Sequence, residues 1–200
     1  GLYLSTLERP TRHLWFFIHG PVAVTLCFAS AIGFSAFVET FDIVPRSTPK
    51  DIKPNQHLIY LNGIALPASY SIVIPVAKGE PYPRSATVLS HATQDQIINR
   101  LDAHSLSITS KNGWFHLIID QMLRSPHLRI GVNSSFETPR FTARVIDMTT
   151  DGRPKTVHFR FKRPLDHPEH RWMCFKPMTL YECAVPPMGT QLSLKGLFSW

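Results

Sequence analysis

The stretch RFTARVIDMTTDGRPKTVHFRFKR, Arg140–Arg163, carries the strongest structural signal in the chain. Two segments that alternate apolar and polar residues flank TTDGRP, and an Asp-Gly pair in that position favours the tight turn of a β-hairpin. Side chains alternate across a strand, so Val157, Phe159 and Phe161 point one way while His158, Arg160 and Lys162 point the other. The expected unit is a half-buried antiparallel hairpin with a basic outer face, on which Arg160, Lys162 and Arg163 lie close together.

Outward from the hairpin, WMCFKPMTLYECAV (172–185), QLSL (191–194), LSIT (106–109) and ATVLS (86–90) read as further strands, with SKNG after LSIT as a turn. HLIYLNGIAL (57–66) and SYSIVIPVA (69–77) are rich in Ile, Leu, Val and Tyr and read as two more, parted by Pro67 and Ala68. Two segments carry helical spacing instead. ATQDQIINRLDA (92–103) sets Ile97, Ile98 and Leu101 on one side with Thr93 as a cap, and WFHLIIDQMLR (114–124) lines up Phe115, Ile118, Ile119 and Met122. The expected fold class is therefore α+β: a mainly antiparallel sheet with about two short helices packed on it. The 17 prolines in 200 residues exceed the usual share of roughly 5%, which favours short strands and extended connections.

The beginning of the chain has a different character. From His13 to Val38 there is no Asp, Glu, Lys or Arg. Roughly 20 apolar residues in a helix suffice to cross a bilayer, so 13–38 is expected to be a transmembrane helix. Residues 1–12 then form a short tail, 39–55 a proline-rich stalk, and 56–200 an extramembrane domain. Ala29, Gly33 and Ala36 stand at spacings that let a second helix approach closely. The competing readings are a cleaved signal peptide ending near Ala29-Ser30-Ala31 and a buried helix of a soluble protein. The latter suffers from having no polar face. Arg9 and Arg12 on one side and Arg46, Lys50 and Lys53 on the other leave orientation undecided by charge; a short N-terminal tail favours a C-terminal domain outside the cytoplasm.

Chemistry is less legible. P-loop, HExxH, CxxC and GxSxG patterns are all missing, which removes the usual sequence support for phosphate cradling, zinc proteolysis, thiol exchange and hydrolase chemistry. His167, His170 and Cys174 form a candidate partial metal set by residue type, although their spacing is not diagnostic. Cys174 and Cys183 suit a disulfide across a hairpin in an oxidising compartment, or buried thiols in a reducing one. His19, deep in the apolar segment, is the candidate axial ligand for a haem or chlorophyll-type pigment, with a neutral interfacial ring as its plain alternative.

From residue 45 onward 19 basic residues oppose 11 acidic ones, and ten of the basic ones fall between Arg124 and Arg171. Such a surface attracts anionic lipid or an acidic protein face; nucleic acid is not the expected partner, for want of any recognised binding module. The reading that joins these features is a non-catalytic, single-pass accessory subunit of a larger membrane complex, its domain bracing partner subunits. The alternatives are a metal- or pigment-carrying module and an anchored enzyme with a dispersed site, for which His116, Asp120 and His158 are the candidates.

Overall fold

The computed structural model describes residues 49–63, 65–116, 130–176 and 179–197. The anticipated transmembrane segment 13–38, with Ala29, Gly33, Ala36, His19 and Cys27, lies outside these residues. Among the described residues no helix is long and apolar enough to cross a membrane.

Among the described residues the domain is a mainly antiparallel β structure with one helix, arranged in three layers. In chain order the elements are β1 (His57–Tyr60), α1 (Ala65–Lys78), β2 (Ser85–Val88), β3 (Gln96–Arg100), β4 (Ser105–Ser110), β5 (Ser135–Glu137), β6 (Phe141–Met148), β7 (Pro154–Phe161), β8 (His170–Lys176), β9 (Thr179–Glu182) and β10 (Gln191–Leu194). A six-stranded sheet runs in the order β10-β3-β4-β7-β6-β5 and is antiparallel throughout. A four-stranded sheet, β2-β1-β8-β9, is mixed: β1 lies parallel to both β2 and β8, and β8 is antiparallel to β9.

The four-stranded sheet forms the middle layer. Ile59, Trp172 and Cys174 pack with Ile98, Leu106, Ile108, Val157, Phe159 and Phe161 of the larger sheet. Leu58, Tyr60, Met173 and Phe175, the alternate residues of the same strands, pack on the opposite side with Ala68 of α1. A strand covered on both faces has no polar alternation to show, which is why LIY and WMCF read as unbroken apolar runs. Asn62, fully buried, extends the pairing past the end of β1: its Nδ2 donates to the Phe175 carbonyl at 3.0 Å, and the Phe175 N–H donates to its Oδ1 at 2.8 Å.

The hairpin at 140–163 forms as β6 and β7, with a register shift between Val145 and Asp147. Val157, Phe159 and Phe161 are buried and Arg160 and Lys162 are exposed. Phe161 also meets the Trp172 ring edge-on, centroids 5.5 Å apart, which ties the hairpin to the middle layer.

Two elements differ from the sequence expectation. The run 69–77 belongs to α1 and is not a strand. Parallel strands cannot be joined by a tight turn, so β1 and β2 require a crossover, and a helix supplies it. Pro67 sits in the first turn, where its missing N–H has no intrahelical partner to lose. The helix ends in a Schellman motif: Gly79, at φ 68°, bonds the Val76 carbonyl and Glu80 bonds that of Pro75. The second difference is 92–103, whose centre is strand β3 between β10 and β4. Only Ile98 of the three supposed helix-face residues is buried; Ile97 and Leu101 are exposed. Gln94, anticipated just inside a helix, instead donates to the Gly113 carbonyl at 2.6 Å and accepts from the Asn112 N–H at 2.9 Å, pinning the turn after β4. Gly113 has φ 77°, and an added Cβ would stand 2.7 Å from Thr149 Cγ2, so only glycine fits there. The anticipated second helix lies mostly outside the described residues; at its start Phe115 has φ 58°, which is not helical.

Cys174 and Cys183 are joined by a disulfide that staples β8 to the end of β9, with Cα atoms 5.8 Å apart and nine residues of sequence separation. Closing a loop of that size stabilises a fold by about 2–3 kcal/mol. Replacing both cysteines by alanine is expected to lower the unfolding free energy by that amount in a denaturant titration of the full chain. Thiol labelling of the unfolded wild type is expected to rise by two groups per chain on reduction.

Candidate anion-binding site

At one end of the layers the entrances to β1, β2, β6 and β8 meet the exit of β7. Because β1 is parallel to β2 and to β8, with His57 opposite both Ser85 and His170, three N-terminal strand ends share one edge. The larger sheet brings Arg140, just before β6, beside Lys162, just after β7: the Lys162 N–H donates to the Arg140 carbonyl at 2.8 Å. These ends enclose an open cavity of about 280 Å³ lined by His57, Arg84, Pro139, Arg140, Lys162, Arg163, Glu169 and His170.

The backbone fixes each contributor. The Arg84 N–H donates to the Gln56 carbonyl at 2.8 Å and the His57 N–H to the Glu169 carbonyl at 2.7 Å. Gln56 Nε2 holds the Pro168 carbonyl at 3.2 Å, so the 164–169 loop is clamped to the start of β1. Pro83 and Pro139 precede the two arginines and restrict the chain to extended geometry as it enters each strand.

The charges are unevenly matched. Glu169 is the one carboxylate in the lining, and it is engaged: its Oε2 lies 2.7 Å from Arg163 Nη1 and 4.0 Å from His57 Nε2. The Arg163 hydrogen bond and charge, with His167 and His57, hold the Glu169 carboxyl below its ordinary range. Lys162 is 3.5 Å from Glu137 in an exposed pair, a kind that contributes little. Arg140 donates to the neutral Thr87 Oγ1 at 3.3 Å. Its guanidinium is lowered from its ordinary value by burial and by the nearby charge of Arg84. Two cations that repel each other at the mouth of a cavity create a positive potential that an anion would relieve.

His57 sits among these cations with its Nδ1 2.8 Å from Ser85 Oγ. Burial first, then the charge of Arg140, push its pKa down to about 4, with Glu169 acting in the opposite direction. His170, stacked edge-on to Phe161 at 5.6 Å, is likewise lowered by burial. His57 is therefore neutral at pH 7, and among the described lining residues four cations face one carboxylate.

The other residues anticipated from sequence are distributed as follows. Lys162 and Arg163 line this cavity, whereas Arg160 lies beside Lys162 in a neighbouring shallow groove with His104, Thr142 and Phe161. His167 and His170 come together, ring centroids 5.9 Å apart, with His167 Nε2 3.4 Å from Arg163. Cys174 does not join them. It stands four residues along β8 from His170, roughly 13 Å at strand spacing, and its sulfur is bonded to Cys183. Among the described residues no group of three His, Cys, Asp or Glu is placed to hold a metal ion. His116 and His158 are not brought together either: His116 Nδ1 is 3.1 Å from Gln94 Nε2 at the turn after β4, while His158 lies opposite Arg144 and Ser107 on the outer face of the larger sheet. Asp120 lies outside the described residues.

Arg84, Arg140 and His57 are not marked as site residues by the sequence reading, whereas Glu169 belongs to the polar cluster 166–170 that also holds His167 and His170. A local signal for the first two exists: Pro83-Arg84 and Pro139-Arg140 are matching dipeptides, each immediately ahead of a strand. No protein family, curated protein or solved structure matches the chain.

The depressed His57 pKa makes stability depend on pH. The unfolded chain takes up a proton near the ordinary value of 6.5 that the folded chain refuses until about 4. The stabilisation is thus complete above pH 6.5 and is lost as pH falls toward 4. His57→Gln is expected to reduce the stability difference between pH 7 and pH 5 by about 1–2 kcal/mol, measured by denaturant titration at both values.

Proposed function

We propose that this protein is a non-catalytic, single-pass accessory subunit of a larger membrane complex, its domain standing outside the cytoplasm and bracing partner subunits. The observation that carries this reading is the surface of α1. A helix on the outside of a globular domain ordinarily turns polar residues to water. Here ALPASYSIVIPVAK holds no charged residue before Lys78. Ala68, Ser71 and Pro75 are buried while Val73 and Val76, one turn apart, are 56% and 50% exposed. A helix uncharged up to its last residue, with valines on its open side, suits an apolar protein neighbour.

Two further features support the reading. The Cys174–Cys183 bridge suits an oxidising compartment, in keeping with a domain outside the cytoplasm. The uncharged segment 13–38, with Ala29, Gly33 and Ala36 at helix-contact spacing, provides for a second attachment within the membrane.

The test is purification of the full chain from its own membranes in mild detergent. A defined, stoichiometric complex is expected. The double variant Val73→Glu/Val76→Glu should reduce recovery of the partners at least tenfold while the disulfide forms as in wild type. Lys111→Glu, on the turn after β4, should leave the complex intact. A chain that elutes alone, or a double variant that stays fully assembled, would overturn the reading.

A further inference from the structure

We propose that the cavity lined by His57, Arg84, Arg140, Lys162, Arg163 and His170 is a binding site for a phosphate group carried on a small molecule or a lipid headgroup. The proposal does not depend on the α1 surface or on the accessory role, and rests on the charge and geometry of the strand ends.

The first argument is charge. Arg84, Arg140, Lys162 and Arg163 converge on a space that holds the single carboxylate Glu169. That carboxylate is turned toward Arg163 and His57, which leaves Arg84 and Arg140 with no carboxylate partner among the described ion pairs. Covering a charged guanidinium without a partner is costly, so a partly covered arginine ordinarily finds a counter-charge. Arg140 is partly covered and has a hydroxyl, Thr87 Oγ1, for its partner. Burial together with repulsion from Arg84 disfavours its charged form, so an anion lying between the two guanidinium groups would remove an existing cost as well as form new bonds.

The second argument is shape. The cations come from two sheets: Arg84 from the entrance to β2 in one, and Arg140, at the entrance to β6, with Lys162 and Arg163, at the exit of β7, in the other. Donors arranged around a centre suit a tetrahedral oxoanion, which presents oxygens on several sides, better than a planar carboxylate, which presents one edge. Each arginine fork can pair with two oxygens of a phosphate, as it can with a carboxylate. At about 280 Å³ the open cavity is just below the roughly 300–1,000 Å³ usual for drug-sized ligands, which is room for a phosphate and the few atoms attached to it.

The third argument is rigidity. The arginines are delivered by backbone bonds into two sheets: the Arg84 N–H to Gln56 and the Arg140 carbonyl from Lys162, both at 2.8 Å. The backbone that carries each arginine is thus fixed before any ligand arrives, and binding need order only the side chains.

The experiment titrates the full chain, held in uncharged detergent, with inorganic phosphate and with glycerol 3-phosphate by calorimetry. In parallel it measures flotation with neutral vesicles and with vesicles containing phosphatidic acid. Saturable binding of the soluble phosphates is expected, with affinity falling at least tenfold in Arg84→Gln and in Arg140→Gln and staying within twofold in Lys111→Gln. Retention of the Cys174–Cys183 bridge and of the wild-type circular dichroism in the variants keeps a folding defect apart from a binding defect. Arginine-dependent binding of the soluble phosphates assigns a free phosphate compound. Arginine-dependent flotation on phosphatidic acid without soluble binding assigns a headgroup, and either result upholds the site. Binding to neither, or binding that Arg84→Gln and Arg140→Gln leave unchanged, overturns it.

Discussion

Burial of the four-stranded sheet on both faces is the constraint on which the rest of the structure depends. A sheet with one wet face needs only one partner layer. This one has buried residues at every position of β1 and along the centre of β8, so it requires α1 on one side and the six-stranded sheet on the other. The crossover from β1 to β2 follows from that need, because parallel pairing demands a long connection and α1 covers the exposed face as it crosses. The bidentate bonding of Asn62 with Phe175 extends the same pairing inward without leaving a buried polar group unsatisfied.

The site inherits its position from this arrangement. With β1 parallel to β2 and β8, three strand entrances fall on one edge, and the loops that deliver them carry Arg84, His57 and Glu169. The β6–β7 pair contributes Arg140 and Lys162 by ordinary antiparallel bonding at the same end. The charge concentration is therefore a product of topology: residues 57, 84, 140 and 163 are far apart in the chain and meet because five strand ends do.

The parts of the fold legible in the sequence are those that local chemistry determines. Alternation and the Asp151-Gly152 turn specify β6 and β7, and the unbroken apolar run at 172–175 specifies β8. The run 69–77 is ambiguous on composition, since a short apolar stretch suits a buried strand or a covered helix equally; the Lys78-Gly79 stop and the early Pro67 are the signals that favour the helix. β3 defeats local reading for a different reason. Its Ile97 and Ile98 sit side by side, one exposed and one buried, and their strand state is imposed by hydrogen bonding to β4 and β10 on either side. Within the site, Lys162 and Arg163 were visible as part of a basic run, whereas Arg84 and Arg140 acquire meaning only through strand order.

Strand order has a consequence for biogenesis. His57 pairs with His170, so the centre of the middle layer joins residues more than half the chain length apart. Contacts at such separation are slow to form, because a long loop must close before any pairing rewards it. During synthesis β1 and the apolar side of α1 wait until β8 has left the ribosome. The nascent domain thus passes through a stage with sticky surface on show, and a holding chaperone at that stage would suit its topology.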